Sequence, residues 1–309
     1  MSTKHAMYLS SYGKAPYGMI GHFADRQAQT ANVVCRRSTH LSPGLANPST
    51  DFRPTAMQRL LALIGPLPFI GLAIAAAGLS LGVAIGLFEE GFSPLLATFP
   101  SAWRYPLTGL ALAASYFAYG LTLLMVAPLL NFLLGGRLQP YRGPAVSLTA
   151  LRWYVHCTLT LVVRYSFLEF VTPSPFAQLY YRLMGMKIGR NVTINSTAIA
   201  DPSLIEMADG VTIGGSASVM AHYAQGGYLV IAPVRLGAGA TIGLRAIVMG
   251  GVEVGEKAKV LAGSFVLPNT RIPAGETWAG IPAQRVELER DAAADNGANG
   301  HDFSGHPRS

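Results

Sequence analysis

The stretch 220–235, MAHYAQGGYLVIAPVR, holds the one histidine between positions 157 and 300, His222. An imidazole titrates near neutrality, so it can take a proton from an alcohol or an amine. Such a base usually needs a partner that fixes its ring. Glu206, Asp209 and Asp201 are the acids upstream of it, with Asn195 as a polar alternative. The sequence does not choose among them, and acids of this kind are often no more than solvated corner residues. The Gly226-Gly227 pair marks the stretch as a loop thrown out of a regular element. Against a catalytic role stands the plainer reading of a loop histidine with no task.

Other chemistries lack their residues. A histidine zinc site needs three histidines, and this region has one. There is no GxxxxGK[ST] loop, and no GxGxxG follows a strand. Cys35 and Cys157 lie in dissimilar segments, which argues against a disulfide framework or a metal cluster. The net charge is +7, yet no basic patch interleaved with aromatics is present. Nucleic acid is therefore not an expected partner, and the charge is read as facing anionic lipid or an anionic ligand.

The element that carries His222 announces itself by a period of six. Leu236, Ile242, Val248, Val254, Val260, Val266 and Ile272 are in register. Six is three strand periods, so these side chains can all face one way. Two residues earlier runs a smaller set, Val234, Ala240, Ala246, Val252, Ala258, Ser264 and Thr270. Gly237, Gly243 and Gly255 follow three of the large residues and are expected to turn the chain with positive φ. Short strand, turn and short strand repeated in this way wind into a β-helix. Earlier turns read Ile188, Ile194, Ala200, then Met207, Ile213, Val219, with one residue inserted near Asp201-Pro202.

These motifs carry a family likeness. GVTIGGSASVMAHYAQGGYLVIAPVRLGAGATIG, AIVMGGVEVGEKAKVLAGSFVLPNTRIPAGETWAGIPAQRV and the entry LMGMKIGRNVTI resemble the hexapeptide-repeat acyltransferases, over residues 183–286. A narrower likeness, in YRLMGMKIG and ADPSLIEMADGVTIGG together with the apolar helices, is to the membrane-associated C-terminal region of polylysine-synthetase-type nonribosomal peptide synthetases. The resemblance implies a left-handed parallel β-helix, a homotrimer, and transfer from acetyl-CoA or another acyl-CoA without a metal. On it, His222 is the general base, with Glu206 or Asp209 as orienting candidates beside Asp201. The freed nucleophile attacks the thioester, and backbone N–H groups of the glycine-rich coil hold the oxyanion. Gly243, Arg245, Lys257, Lys259, Gly263, Arg271, Trp278 and Arg285, in the final coils, are the expected coenzyme A contacts. Gln284 stands where many relatives have a lysine after Pro-Ala.

Only 13% of the residues are charged, and the deficit is local: 60–88 and 105–136 contain none. Each exceeds the ~20 residues that cross a bilayer. Basic residues (Arg36, Arg37, Arg53, Arg59, then Arg137, Arg142, Arg152) flank the pair, while Arg104 alone lies between them. That places both ends on the cytoplasmic side. Residues 147–171 are apolar but broken by Arg152, Arg164 and Glu169. They are read as a helix in the membrane interface, anchored by Trp153, Tyr154, Tyr165 and Phe167.

The organisation expected is a mostly disordered cytoplasmic segment 1–55, a transmembrane hairpin 56–146 with spans about 60–88 and 105–134, an interfacial helix and linker 147–184, the β-helix 185–286 and a polar tail 287–309. The functional expectation is a multi-pass inner (cytoplasmic) membrane acyltransferase. Its acceptor would be a small molecule or a lipid-linked glycan or peptide precursor, and lipid its other partner. The competing expectation is a non-catalytic β-helix module of a biosynthetic complex.

Overall fold

The computed structural model describes residues 65–287, apart from 135, 146 and 227, and all of them belong to one compact unit. The segment 1–55 and the tail beyond 287 lie outside the described residues.

From 187 onward the chain is a three-faced coil. One face stacks Ile188, Met207, Leu236, Val254 and Ile272 in a column. The second stacks Ile194, Ile213, Ile242, Val260 and Trp278. The third stacks Ile199, Val219, Val248 and Val266. The strands are short and parallel, and neighbouring coils exchange backbone hydrogen bonds in both directions. Ile213, Ile242 and Val248 have no exposed surface, and neither do Ala240, Ala246 and Ala258 of the smaller set. Both sets point into the coil, as the period requires.

Two expectations about the coil are corrected. The glycines Gly237, Gly243 and Gly255 do not take positive φ. That conformation falls two residues later, at Gly239, Arg245, Gly251, Lys257 and Gly263. A Cβ at Gly243 or Gly255 would instead lie 2.5 Å from the backbone nitrogen of the neighbouring coil, and at Gly237 2.7 Å. Glycine is needed there for close approach of two backbones. Secondly, Ile199, not Ala200, pairs with Val219 and is buried. The third face begins one residue early, and a 3-10 turn at Pro202–Leu204 takes up the slack before the first face resumes at Ile205–Met207. In strand parity a slip of one residue exchanges inside and outside. Asp201, two positions after Ile199, is thereby withdrawn from solvent and enters the turn with φ 61°.

Ahead of the coil lies a helical layer. Helix α1 (Leu67–Gly86) continues through a π-helical turn, Leu87–Phe92, into α2 (Ser93–Ala97), and α3 (Ser101–Leu134) returns alongside. Glu89 and Glu90 sit inside the π turn. Leu67–Ala97 and Ser101–Leu134 are each long and apolar enough to cross a membrane, by length and composition. Helix α4 (Leu148–Ser166) starts at the cap Ser147, whose hydroxyl accepts from the Ala150 N–H. It packs against both α1 and α3. A Cβ at Gly120 would strike the Phe167 ring, so the absence of a side chain there sets how closely α3 meets the end of α4. Helix α5 (Pro175–Leu183) leads into the first coil.

This overturns part of the expected role of 147–171. Phe167 is fully buried, between Tyr116 and Phe117, and Trp153 faces the coil; only Tyr154 and Tyr165 of the four expected anchors are exposed. The helix is a layer between the long helices and the coil, because its apolar residues occupy more than one face.

Candidate active site

The coil is interrupted after Met220 by an antiparallel hairpin, His222–Gln225 with Tyr228–Ile231. A third strand, Tyr141–Pro144 from the linker between α3 and α4, pairs with the hairpin's second strand. His222 is the first residue of this excursion. Gly250 permits it: a Cβ there would come 3.1–3.2 Å from the backbone of Ala221 and His222. Tyr223 is braced by Asn269, whose Nδ2 donates to its hydroxyl at 2.9 Å.

The orienting group is Asp201. Its Oδ2 lies 2.5 Å from His222 Nδ1. A carboxylate only accepts, so Nδ1 carries the proton and Nε2 is left with its lone pair. The Asp201 side chain is completely buried, whereas that of His222 is 25% exposed. Two further donors hold the carboxylate: the Ala221 N–H on Oδ2 at 3.2 Å and the Trp153 indole N–H on Oδ1 at 2.9 Å. A buried carboxylate with three donors is fixed in position. The Trp153 ring also meets the His222 ring edge-on, with centroids 4.9 Å apart. Three elements thus converge on one imidazole: the slipped turn after Ile199, the base of the excursion, and α4.

Glu206 and Asp209 do not join this group. Glu206 faces outward and pairs with Lys187 at 3.3 Å, and Asp209 accepts from the Arg190 N–H at 2.7 Å. Both are on the first face or its corner, where parity points them away from the excursion. Asn195 lies at the opposite corner of the third face, before Ile199. Trp153 joins the site through Asp201, a role its place in the sequence does not show. It is 48 positions from Asp201 in sequence, and nothing local marks it as anything but an amphipathic anchor.

The residues expected to meet coenzyme A are spread around the last coils. Lys259, Trp278 and Arg285 share the second face. Arg245 and Gly263 stack at the corner that follows it, joined through the Gly263 N–H to Leu244 O bond, and Gly243 directly follows the strand Thr241–Ile242 before that corner. Lys257 occupies the corner that leads into the second face, with φ 54°. Arg271 is on the first face and pairs with Glu253 at 3.3 Å. Trp278 Nε1 donates to Glu276, and Arg285 pairs with Glu276 and Glu287. One copy of the chain does not gather them into a single pocket.

Behind the site, His156 of α4 is fully buried, with Nδ1 3.2 Å from Asn131 Oδ1 of α3 and Nε2 without a partner. Burial lowers its pKa from 6.5 to about 4, against the opposing pull of the Asp201 carboxylate. Burial likewise raises the Cys157 thiol well above its usual range, which leaves it inert at neutral pH. Among the described residues no three or more His, Cys, Asp or Glu converge as metal ligands.

Comparison with known proteins agrees with the coil. The family pattern described as the hexapeptide repeat of succinyl-transferase matches residues 233–268. The chain is 31% identical over 145 residues to the delta-poly-L-ornithine synthetase of Acinetobacter baumannii, which covers 47% of this chain and 11% of that protein. It is 35% identical over 109 residues to the mitochondrial gamma carbonic anhydrase 2 of Arabidopsis thaliana, covering 30% of this chain and 35% of that one. The chain thus spans about a tenth and about a third of these relatives. Among solved structures, a maltose O-acetyltransferase from Clostridium difficile 630 aligns with a TM-score of 0.39 at 16% identity, over 48% of this chain and 93% of that one. The stack of six-residue rungs that presents His222 is a left-handed β-helix, and it matches the hexapeptide-repeat pattern over 233–268.

Proposed function

We propose that this protein is a membrane-anchored acyltransferase that moves an acyl group, with acetyl as the first choice, from coenzyme A to an alcohol or amine. The observation that carries the reading is the buried Asp201 carboxylate, held by three donors, that fixes the His222 ring at the edge of a hexapeptide coil. Nε2 of His222 accepts the proton of the acceptor O–H or N–H. The oxygen or nitrogen then attacks the thioester carbonyl, and the tetrahedral intermediate collapses with loss of the coenzyme A thiolate. That sulfur takes the proton back from the imidazolium. Asp201 holds the tautomer and stabilises the imidazolium, as the acid does in other His-Asp pairs. Trp153 is a positioning residue that fixes Asp201 and closes one side of the ring.

Coenzyme A lies between neighbouring copies of a homotrimer on this reading. Arg245, Lys257, Lys259, Arg271 and Arg285 are its phosphate ligands, Trp278 meets adenine, and Gly243 and Gly263 keep the wall close. The dispersal of these residues over several faces of one copy favours a site completed by a second. The two long helices cross the inner membrane with both chain ends cytoplasmic, exposed apolar side chains such as Ile74 and Leu110 meet lipid, and the acceptor is a membrane-linked glycan or peptide precursor.

A second reading, a non-catalytic module of a larger assembly, is favoured by one fact: the matched stretch is a small part of a long synthetase. One experiment separates the two. Purified full-length protein is incubated with labelled acetyl-CoA and membrane extract, beside His222→Ala. The parent transfers label and the variant loses at least about a hundredfold in rate with an unchanged melting curve. Equal turnover by both would remove the general base, and no transfer by either would leave the module.

A further inference from the structure

A pocket of about 280 Å³ lies where the end of α4 meets the first coils, lined by Arg164, Glu169, Thr172, Asn195, Thr197 and Ser216 among others. It is separate from the His222 site. Trp153 and Arg164 are eleven residues apart on the same helix, a rise of about 16 Å. Arg164 and Glu169 carry opposite charges on one small cavity, yet among the described residues they form no ion pair with each other. Each is held back by something else. The Arg164 guanidinium carbon lies 5.3 Å from the Tyr165 ring centroid, and a Glu169 oxygen accepts from the Thr197 hydroxyl. Arg164 Nε is buried and has no acceptor.

A buried donor without a partner costs free energy, and Glu169, exposed at the rim, leaves its carboxylate open to a cation brought into the cavity. An occupant that carries one charge of each sign answers both. A carboxylate matches the guanidinium fork, and an ammonium matches the free oxygen of Glu169. A ligand of single sign would leave the other protein charge facing the cavity unpaired. Asn195 and Ser216, both exposed at the rim, add neutral donors and acceptors. We propose that this pocket binds a free α-amino acid as its zwitterion, carboxylate on Arg164 and ammonium on Glu169. The inference does not depend on acyl transfer at His222.

The test uses full-length protein in detergent and calorimetric titration with L-alanine, N-acetyl-L-alanine and L-alanine methyl ester. The expected result is binding of L-alanine, with each blocked analogue at least about tenfold weaker. Arg164→Gln and Glu169→Gln lose L-alanine binding. Equal binding of all three compounds, or none of L-alanine, overturns the proposal. The analogue comparison needs no variant, so it decides the matter even if Arg164→Gln fails to fold. His222→Ala is expected to bind L-alanine as the parent does, whatever its transferase activity.

Discussion

Ile242 and Val248 of the coil are fully buried, whereas Ile74 of α1 and Leu110 of α3 expose 67% and 68% of their surface. The same kind of side chain has opposite fates in the two regions. In the coil each aliphatic stacks on its counterpart one turn away, so the apolar surface is satisfied within the element. In the helical layer the inner faces pack on α4, and the outer faces of α1 and α3 leave their apolar side chains exposed. The coil is therefore a self-sufficient scaffold, and the layer is a surface that a bilayer covers on the proposed reading. The candidate site sits where they meet, and takes its base from one and Trp153 from the other.

The sharpest way to break this contrast is to charge the interior of the coil. Val254 is 3% exposed, in column with Leu236 and Ile272. Val254→Asp puts a carboxylate in a column of aliphatic side chains, and is expected to cost about 4 kcal/mol or more. Thermal melting checks this, and a transition unchanged from the parent would contradict a sealed interior.

The layer between the regions has its own weak point in His156. An unfolded histidine titrates near 6.5, and burial lowers the folded value to about 4. The folded state thus resists protonation that the unfolded chain accepts. Stability is full above the unfolded value, falls as pH drops from about 6.5 to about 4, and is level below that, a loss of about 3 kcal/mol in all. Denaturant unfolding across that range would show the slope, and His156→Gln would lose it. A slope retained in the variant would assign the acid sensitivity to other groups.

The junction itself is probed by Trp153→Phe, which keeps a ring beside His222 but leaves Asp201 Oδ1 without its indole donor. A lost hydrogen bond to a charged group predicts about a ten- to hundredfold fall in kcat, with KM for acyl-CoA nearly unchanged. A rise in KM alone would make Trp153 a binding residue.

How far the sequence could be read differs between the regions for the same reason. The coil repeats, so each rung from Leu236 to Ile272 confirms its neighbours. Its glycines stand out in the sequence, but at Gly243 the need is room for the backbone of the next coil, which no single-strand argument contains. The slip at Ile199 is hard to place to the residue, because Ala200 is as acceptable an inward residue by type. That single step decides whether Asp201 points in or out, and with it which acid serves His222. The helical layer has no repeat, and its apolar residues are compatible with lipid or with protein on any side. The Trp153–Asp201 bond joins residues 48 positions apart, and only the packing of α4 on the third face brings them together.

The smallest effect is expected on the outside of the coil, where Glu253 bridges Arg235 at 3.0 Å and Arg271 at 3.3 Å. Chemically these are the same kind of contact as Asp201 with His222, a carboxylate beside a nitrogen base. The surroundings differ: Glu253 is 38% exposed, and its arginines 58% and 81%, while Asp201 has no exposure at all. Water and salt screen the outer pairs, so Glu253→Gln should change stability by no more than about 0.5 kcal/mol, and by less at high ionic strength. Melting curves of parent and variant at low and high salt measure it. A loss of several kcal/mol would mean that the first face is covered in the assembled protein, since only a desolvated carboxylate can matter that much.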